Sequence, residues 1–348
     1  MKIFLHVGMP KCGSSALQTY LSHNPSIVCG DDKFDYAVIR PGGSLISGNT
    51  LIEEAASSAF RYASTISAES INKMSRKSQN KFMNEVGLLS EHADGLIISS
   101  EGWGQKAELF NDECIFNNAE FDTHVIMYIR PQVSWVNSAW WQWGAWTDRP
   151  LARWLRANKD SANWFLSASK WREKRWVNDL TIRVLPSNIV DDFATILGAE
   201  FQDELIHNKS LPGSMLRIFQ RNRGLRHNAH DSSIDFILAR HLELDQVATP
   251  WVIRPNLVEK LIDYFRDDND RLMALLSPEQ SEIMSNDDRW WSPNAYDSLV
   301  HEKAGPVKAN ALELESITVA ALMAVKSCDE QISVLNKQLR DIKNERCQ

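Results

Sequence analysis

Residues 3–21 read IFLHVGMPKCGSSALQTYL, and three kinds of local structure follow one another in that stretch. Ile3–Val7 is a short apolar run ended by Gly8, which suits a strand buried on both faces of a parallel sheet. Ala16–Leu21 reads as a helix. The segment between them, GMPKCGSS at residues 8–15, holds two glycines that let the backbone turn tightly and approach a ligand closely. Amides at the start of the following helix converge on one place, and the helix dipole favours an anion there. Ser14 and Ser15 add hydroxyl donors, and Lys11 adds a full positive charge. The segment is not a Walker A loop, which carries its Lys after the second Gly; here Lys11 precedes Gly13. Read alone, it also fits an ordinary Gly/Ser strand–helix turn.

Three more strands are expected at Leu96–Ser100, His124–Ile129 and Leu180–Leu185. Helical stretches separate most of them, so the fold class is α/β with a central parallel sheet. Residues 30–49, rich in Gly, Asp and Ser, read as a long loop. Residues 51–92 read as helical, with Ile71, Met74, Phe82, Val86 and Leu89 on one face of the second helix. Residues 190–300 read as mainly helical, with breaks near Pro212-Gly213, Pro250, Pro255 and Pro293. From 310 to 343 there is neither Gly nor Pro. Val325, Cys328, Ile332, Leu335, Leu339 and Ile342 follow a 3–4 rhythm there, as in a coiled coil. That helix either packs on its own domain or joins two copies. The expected division is a main domain over 1–305, with its motifs in 1–225 and a helical part over 226–305, and the helix over 306–348.

The 348 residues are 43 % hydrophobic and 24 % charged, an ordinary globular composition. Lys plus Arg number 38 against 45 Asp plus Glu. A net charge of −7 argues against general binding to nucleic acid or anionic membranes, so a polyanionic ligand needs a local site. The five cysteines (Cys12, Cys29, Cys114, Cys328 and Cys347) are scattered without a CxxC pair and read as reduced thiols. No apolar run suits a membrane span or a signal peptide. A cytoplasmic location is expected.

A second constellation lies at 124–138. The strand ends in Arg130, Pro131 suits the first turn of a helix, and Ser134 and Ser138 lie four apart on one face of it. Arg130 is suited to bidentate recognition of phosphate; a structural ion pair is the plain alternative. A third feature is Glu101, at the end of the strand beginning near Leu96. Open α/β sheets place their active sites at the carboxyl ends of the strands.

With these residues in view, the chain resembles the sulfotransferases that use 3′-phosphoadenosine 5′-phosphosulfate, of the bacterial type. Their 5′-phosphosulfate loop matches Pro10-Lys11-Cys12-Gly13-Ser14-Ser15, with Cys12 departing from the commoner hydroxyl residue. Their 3′-phosphate motif, an Arg at a strand end and a Ser eight residues later, matches Arg130 and Ser138. Asn208-Lys209-Ser210-Leu211 resembles a cofactor-contacting segment of bacterial members, which adds Lys209 and Ser210 as expected contacts. The resemblance implies a three-layer α/β sandwich with a P-loop-like phosphosulfate-binding turn and a helical C-terminal region. It also implies sulfuryl transfer to an acceptor hydroxyl, expected on a carbohydrate or glycoconjugate, without a metal. The family's catalytic base, His or Glu, lies at the second strand end or shortly after the first helix. Glu101 occupies the first place; Asp31 and Asp32 occupy the second. Lys11 would stabilise charge on the bridging oxygen.

Nine of the thirteen tryptophans fall between 135 and 176. Most are expected in the core, with some of Trp140, Trp141 and Trp143 facing an acceptor groove. The nine histidines are scattered, His227 and His230 being the only close pair. Two rivals stand beside sulfuryl transfer: a nucleotide-kinase-like phosphotransferase of the same layered fold, and a non-catalytic glycan-binding module.

Overall fold

A computed structural model describes residues 1–201, 211–226, 228, 231–242 and 249–346. Strand β1 (Lys2–Gly8) leads through residues 9–13 into α1 (Ser14–His23). Strands β2 (Ser26–Cys29) and β3 (Asp32–Tyr36) form a hairpin, and β4 (Val38–Ile39) and β5 (Leu45–Ile46) pair in a small separate sheet. Helices α2 (Gly48–Ser57), α3 (Ala68–Asn72) and α4 (Arg76–Leu89) lead to β6 (Gly95–Glu101). After β7 (Asp122–Ile129) come α5 (Gln132–Gln142), α6 (Leu151–Asn158), α7 (Trp164–Arg172), β8 (Asp179–Val184) and α8 (Ile189–Leu197). Helices α9 (Gly213–Arg221), α10 (Ser233–His241), α11 (Pro255–Met273), α12 (Pro278–Asn286) and α13 (Ala311–Arg346) complete the chain.

The main sheet runs β2-β3-β6-β1-β7-β8. All neighbours are parallel except β2 and β3. β1, β6 and β7 are buried along nearly their whole length, which is why each reads as an apolar run. The chain crosses from β1 to β3 on one side and returns to β7 on the other, so the direction of winding switches at β1. In open sheets of this kind ligands bind at the carboxyl ends beside that switch. The four expected strands are all present.

Two expectations are corrected. Residues 30–49 are not one long loop: Asp32–Tyr36 joins the central sheet beside β6. Its charged residues conceal it. Asp35 is buried, and Lys33 and His92 flank its carboxylate at 3.6 and 3.7 Å. The helical face drawn through Ile71 and Phe82 is also two helices, because the Ser67 and Ser75 side chains each cap a new start. Phe82 and Val86 keep their inward face, and Ile71 packs from the shorter helix.

The chain divides into two compact units. The first comprises Met1–Trp140, Arg149–Asn208 and Trp251–His301, and holds the sheet. The second gathers Trp141–Asp148, Lys209–Pro250 and Glu302–Gln348. One of its edges, Glu302, lies near the division expected at 305, but it also draws in two earlier stretches. Within it Arg217 lies over the Trp141 ring, pairs with Glu302 and donates to Gly305 O. Arg226 lies over Trp146 and pairs with Asp235. Helix α13 buries Ala320, whereas Val325, Ile332, Leu335, Leu339 and Ile342 are exposed. Among the described residues, no helix is long and apolar enough to cross a membrane.

Candidate active site

The residues between β1 and α1 form a tight, partly strained turn. The Cys12 amide donates to Met9 O at 3.1 Å, closing it. Lys11 has φ 61°, in the left-handed region that costs a non-glycine residue roughly 1–3 kcal/mol. Gly13 follows at φ 87°, where glycine carries no such cost, and caps α1 without any side-chain hydrogen bond. The Ala16 and Leu17 amides donate to Gly13 O at 3.0 and 3.3 Å, which leaves the Ser14 and Ser15 amides at the start of α1 without a side-chain cap. Two side chains from beyond β7 hold the turn's carbonyls: Trp135 Nε1 donates to Pro10 O at 2.8 Å, and Arg130 Nη1 to Lys11 O at 3.2 Å.

The turn encloses a polar niche. Ser14 Oγ is buried without a hydrogen-bond partner. A Cβ added at Gly8 would lie 2.4 Å from that oxygen and 3.1 Å from Glu101 Cα, so glycine keeps the niche open. An orphaned hydroxyl costs about 1–3 kcal/mol, and a ligand oxygen bound there would remove that cost.

Glu101 closes β6 directly opposite Gly8. Its side chain still meets solvent, yet the surrounding protein raises its pKa above the ordinary carboxylate range. The Lys11 charge and a hydrogen bond from the Lys11 amide oppose that rise. Lysine, carboxylate and turn are thus brought together. Cys12 sits among them, its thiol pushed up to about 12 by burial, with Arg130, Glu101 and Lys11 as its charged neighbours.

Arg130 is half-buried at the end of β7 and has no acidic partner among the described residues. Burial lowers its pKa, and the Arg289 charge adds to that effect. Trp164 Nε1 fixes the Arg130 carbonyl at 2.8 Å. On the adjoining first turn of α5, Ser134 hydrogen-bonds Tyr296. Ser138 lies one turn on, half-buried on the same face. A structural ion pair at Arg130 is not found among the described residues.

Other expectations fare differently. Lys209 and Ser210 lie outside the described residues, as do His227 and His230. Asp32 starts β3 and pairs with Lys2 at 3.0 Å, at the opposite end of β1 from Gly8. Asp31 is its exposed neighbour in the hairpin turn, so neither aspartate reaches the niche. Of the nine clustered tryptophans, seven are buried, including Trp140 and Trp141. Most of the cluster therefore serves the core, as expected; of the three residues offered to an acceptor groove only Trp143 is half-exposed, and of the other six only Trp146.

Three residues near the site were not expected. Tyr62 hydrogen-bonds Ser15 and feels the Glu101 charge, and burial raises its pKa to about 12. It follows Arg61, the other non-glycine residue with positive φ, 62°. Arg289 and Tyr296 neighbour Arg130 from the segment after α12. The unusual backbone there belongs to Arg61, and a sequence does not display it.

No protein-family model matches the chain, and no curated protein matches it. Among solved structures, a sulfotransferase from Alicyclobacillus acidocaldarius is similar at 14 % identity, over 78 % of this chain and 94 % of that one. The TM-score is 0.42, too low for the likeness to bear on function.

Proposed function

We propose that the chain is a sulfotransferase that takes its sulfuryl group from 3′-phosphoadenosine 5′-phosphosulfate and delivers it to a carbohydrate hydroxyl. The observation that carries this is Arg130: a half-buried guanidinium without an acid among the described residues, hydrogen-bonded to the same turn whose Ser14 hydroxyl is orphaned. One fold position thus presents two separate unmet anion sites. Residues 11–15 would hold the 5′-phosphosulfate, and Arg130 with Ser138 the 3′-phosphate. Arg289 and Tyr296 lie beside the latter. The fit to the donor is favourable on both counts, because its two anionic ends match an open niche and a cation without an acidic partner. Bound there, the donor supplies the sulfuryl group.

The chain's own residues divide the remaining work. Glu101, ionised, accepts the acceptor hydroxyl's proton as general base. Its raised pKa strengthens it as a base while leaving it ionised only above the ordinary carboxylate range. Lys11, on the same side of the turn, offsets negative charge developing at the leaving oxygen. The Trp135 bond to Pro10 O and the Arg130 bond to Lys11 O hold the turn against the strain at Lys11 before any ligand arrives.

Incubation with sulfur-labelled donor and a panel of glycans tests this. The expected outcome is labelled glycan together with adenosine 3′,5′-bisphosphate. Phosphoryl transfer from ATP in place of sulfuryl transfer would establish the kinase-like rival. Glycan retention with no transfer from either donor would establish the binding module.

A further inference from the structure

One face of α13 changes character at Cys328. Before it, Ile317, Ala321, Ala324 and Cys328 are half-buried, and Ala320 beside them is buried. Apart from Ile317 these side chains are small. Cys328 Sγ lies 3.8 Å from His241 Nδ1 at the end of α10, so this half of the helix lies against its own unit. Beyond it, Ile332, Leu335, Leu339 and Ile342 continue the same row at steps of three and four residues, which keeps them on the same face. They are large, and they are between 48 and 57 % exposed. The side chains of the row therefore grow where its cover ends. That is the pattern of a face made for an apolar surface that the described residues of one chain do not supply.

The exposed row is palindromic. Toward the C-terminus it reads Ile-Leu-Leu-Ile at steps of three, four and three, and it reads the same in the other direction. A second copy running the opposite way, centred on Lys337, would set Ile332 against Ile342 and Leu335 against Leu339. Each layer would then pair aliphatic side chains of equal volume, as close packing requires.

The flanking residues favour the same direction. The positions just after Cys328, Leu335 and Ile342 hold Asp329, Asn336 and Lys343. Antiparallel pairing turns these positions toward each other, which brings an aspartate position opposite a lysine position at both ends and Asn336 opposite Asn336 between them. Charges at such flanks set partner choice and orientation in coiled coils. Parallel pairing would instead set Gln331 against Asn336 and Gln338 against Lys343, with no opposite charges. It would also stack Leu339 at an a layer and Ile342 at a d layer, an order that disfavours two parallel strands.

We infer that α13 joins two copies of this chain as an antiparallel pair through the Ile332–Ile342 row. The pairing stands apart from the transferase reading, since it uses none of the residues at the β-strand ends.

Sedimentation velocity on the full chain tests the pairing, and disulfide trapping tests its direction. The wild type should sediment as a dimer that dissociates on dilution. Leu335→Glu with Leu339→Glu puts carboxylates into facing layers and should weaken the dimer by at least about a hundredfold. Its near-UV circular dichroism should match the wild type, which shows that the units remain folded. For direction, Ile332→Cys and Ile342→Cys are each made in a Cys328→Ser, Cys347→Ser background. Oxidation of the two mixed variants should link position 332 of one chain to position 342 of the other, and neither variant should link to itself. A monomeric or higher-order wild type, or a dimer that survives the two glutamates, would overturn the pairing. Chains self-linked at 332 and at 342 would overturn its antiparallel direction.

Discussion

At the carboxyl ends of β1, β6 and β7 the chain encloses a hydroxyl without a hydrogen-bond partner and, among the described residues, a guanidinium without an acid; along α13 it exposes apolar side chains that lack cover. Ser14 Oγ and the Arg130 guanidinium represent the first region. Ile332, Leu335, Leu339 and Ile342, each about half-exposed, represent the second. Both depart from the ordinary rule of burial, and the sign of the departure says what would satisfy it. An enclosed donor or cation calls for an anion. An exposed apolar stripe calls for another apolar surface, since covering a large aliphatic side chain is worth about 1.5–3 kcal/mol. For α13 the inferred surface is a second copy of the same stripe, run antiparallel.

Within the first region the sharpest expected effect belongs to Glu101. Glu101→Gln keeps the shape and removes the base, so transfer should fall by about 10²–10⁴ with bisphosphate binding unchanged. The wild-type rate should be lost as pH falls through Glu101's pKa, because only the ionised form accepts a proton. Since that pKa is raised, the acid limb should lie above the ordinary glutamate range, and it should vanish in the variant. The same shift works against stability. A carboxyl with a raised folded pKa contributes less stability once pH exceeds its unfolded value, so Glu101→Gln should melt slightly higher at neutral pH. A lower melting temperature would show that Glu101 serves the fold and not the chemistry.

Lys11→Ala comes next. A loss of about 10²–10³ in transfer is expected, typical of one transition-state charge, with bisphosphate still bound. A variant that transfers normally would separate the turn from catalysis.

Tyr62→Phe should have a smaller effect. The hydroxyl touches Ser15, so its removal should lower turnover by about tenfold, equivalent to one hydrogen bond. Adding Ser15→Ala should then cost little more, because both changes break the same contact. Full additivity would show that Tyr62 acts elsewhere.

The second region should leave transfer untouched. The full chain should sediment as a dimer, and Leu335→Glu with Leu339→Glu as a monomer of equal specific activity. A wild-type monomer would mean that α13 does not pair with its own kind.

The two regions also differ in how much of them could be read beforehand. The strand–turn–helix at 3–21 was legible because apolar runs give way to glycines and then to helix formers within a few residues. Glu101 and Arg130 were legible because each ends such a run. Strand β3 was not: Asp32, Lys33 and Asp35 make it polar, and it is held as a strand by Phe34, Tyr36 and pairing with β6. Tyr62, Arg289 and Tyr296 were hidden for a different reason. They reach the site from separate turns by tertiary packing, and no spacing in the chain records that. The tryptophans were legible as core, and seven of the nine are buried; which of Trp140, Trp141 and Trp143 stays in the open was not, since indoles close in sequence serve the core as readily as a groove.

Calorimetric titration of adenosine 3′,5′-bisphosphate and of adenosine 5′-phosphosulfate into the wild-type chain and Arg130→Gln bears most directly on the claim that the turn and Arg130 hold the two ends of one donor. Both ligands should bind the wild type. The substitution should weaken the bisphosphate by about 10–100-fold, the worth of a charge-assisted hydrogen bond. It should leave adenosine 5′-phosphosulfate, which has no 3′-phosphate, unchanged. Equal losses for the two ligands, or no binding of either to the wild type, would contradict it.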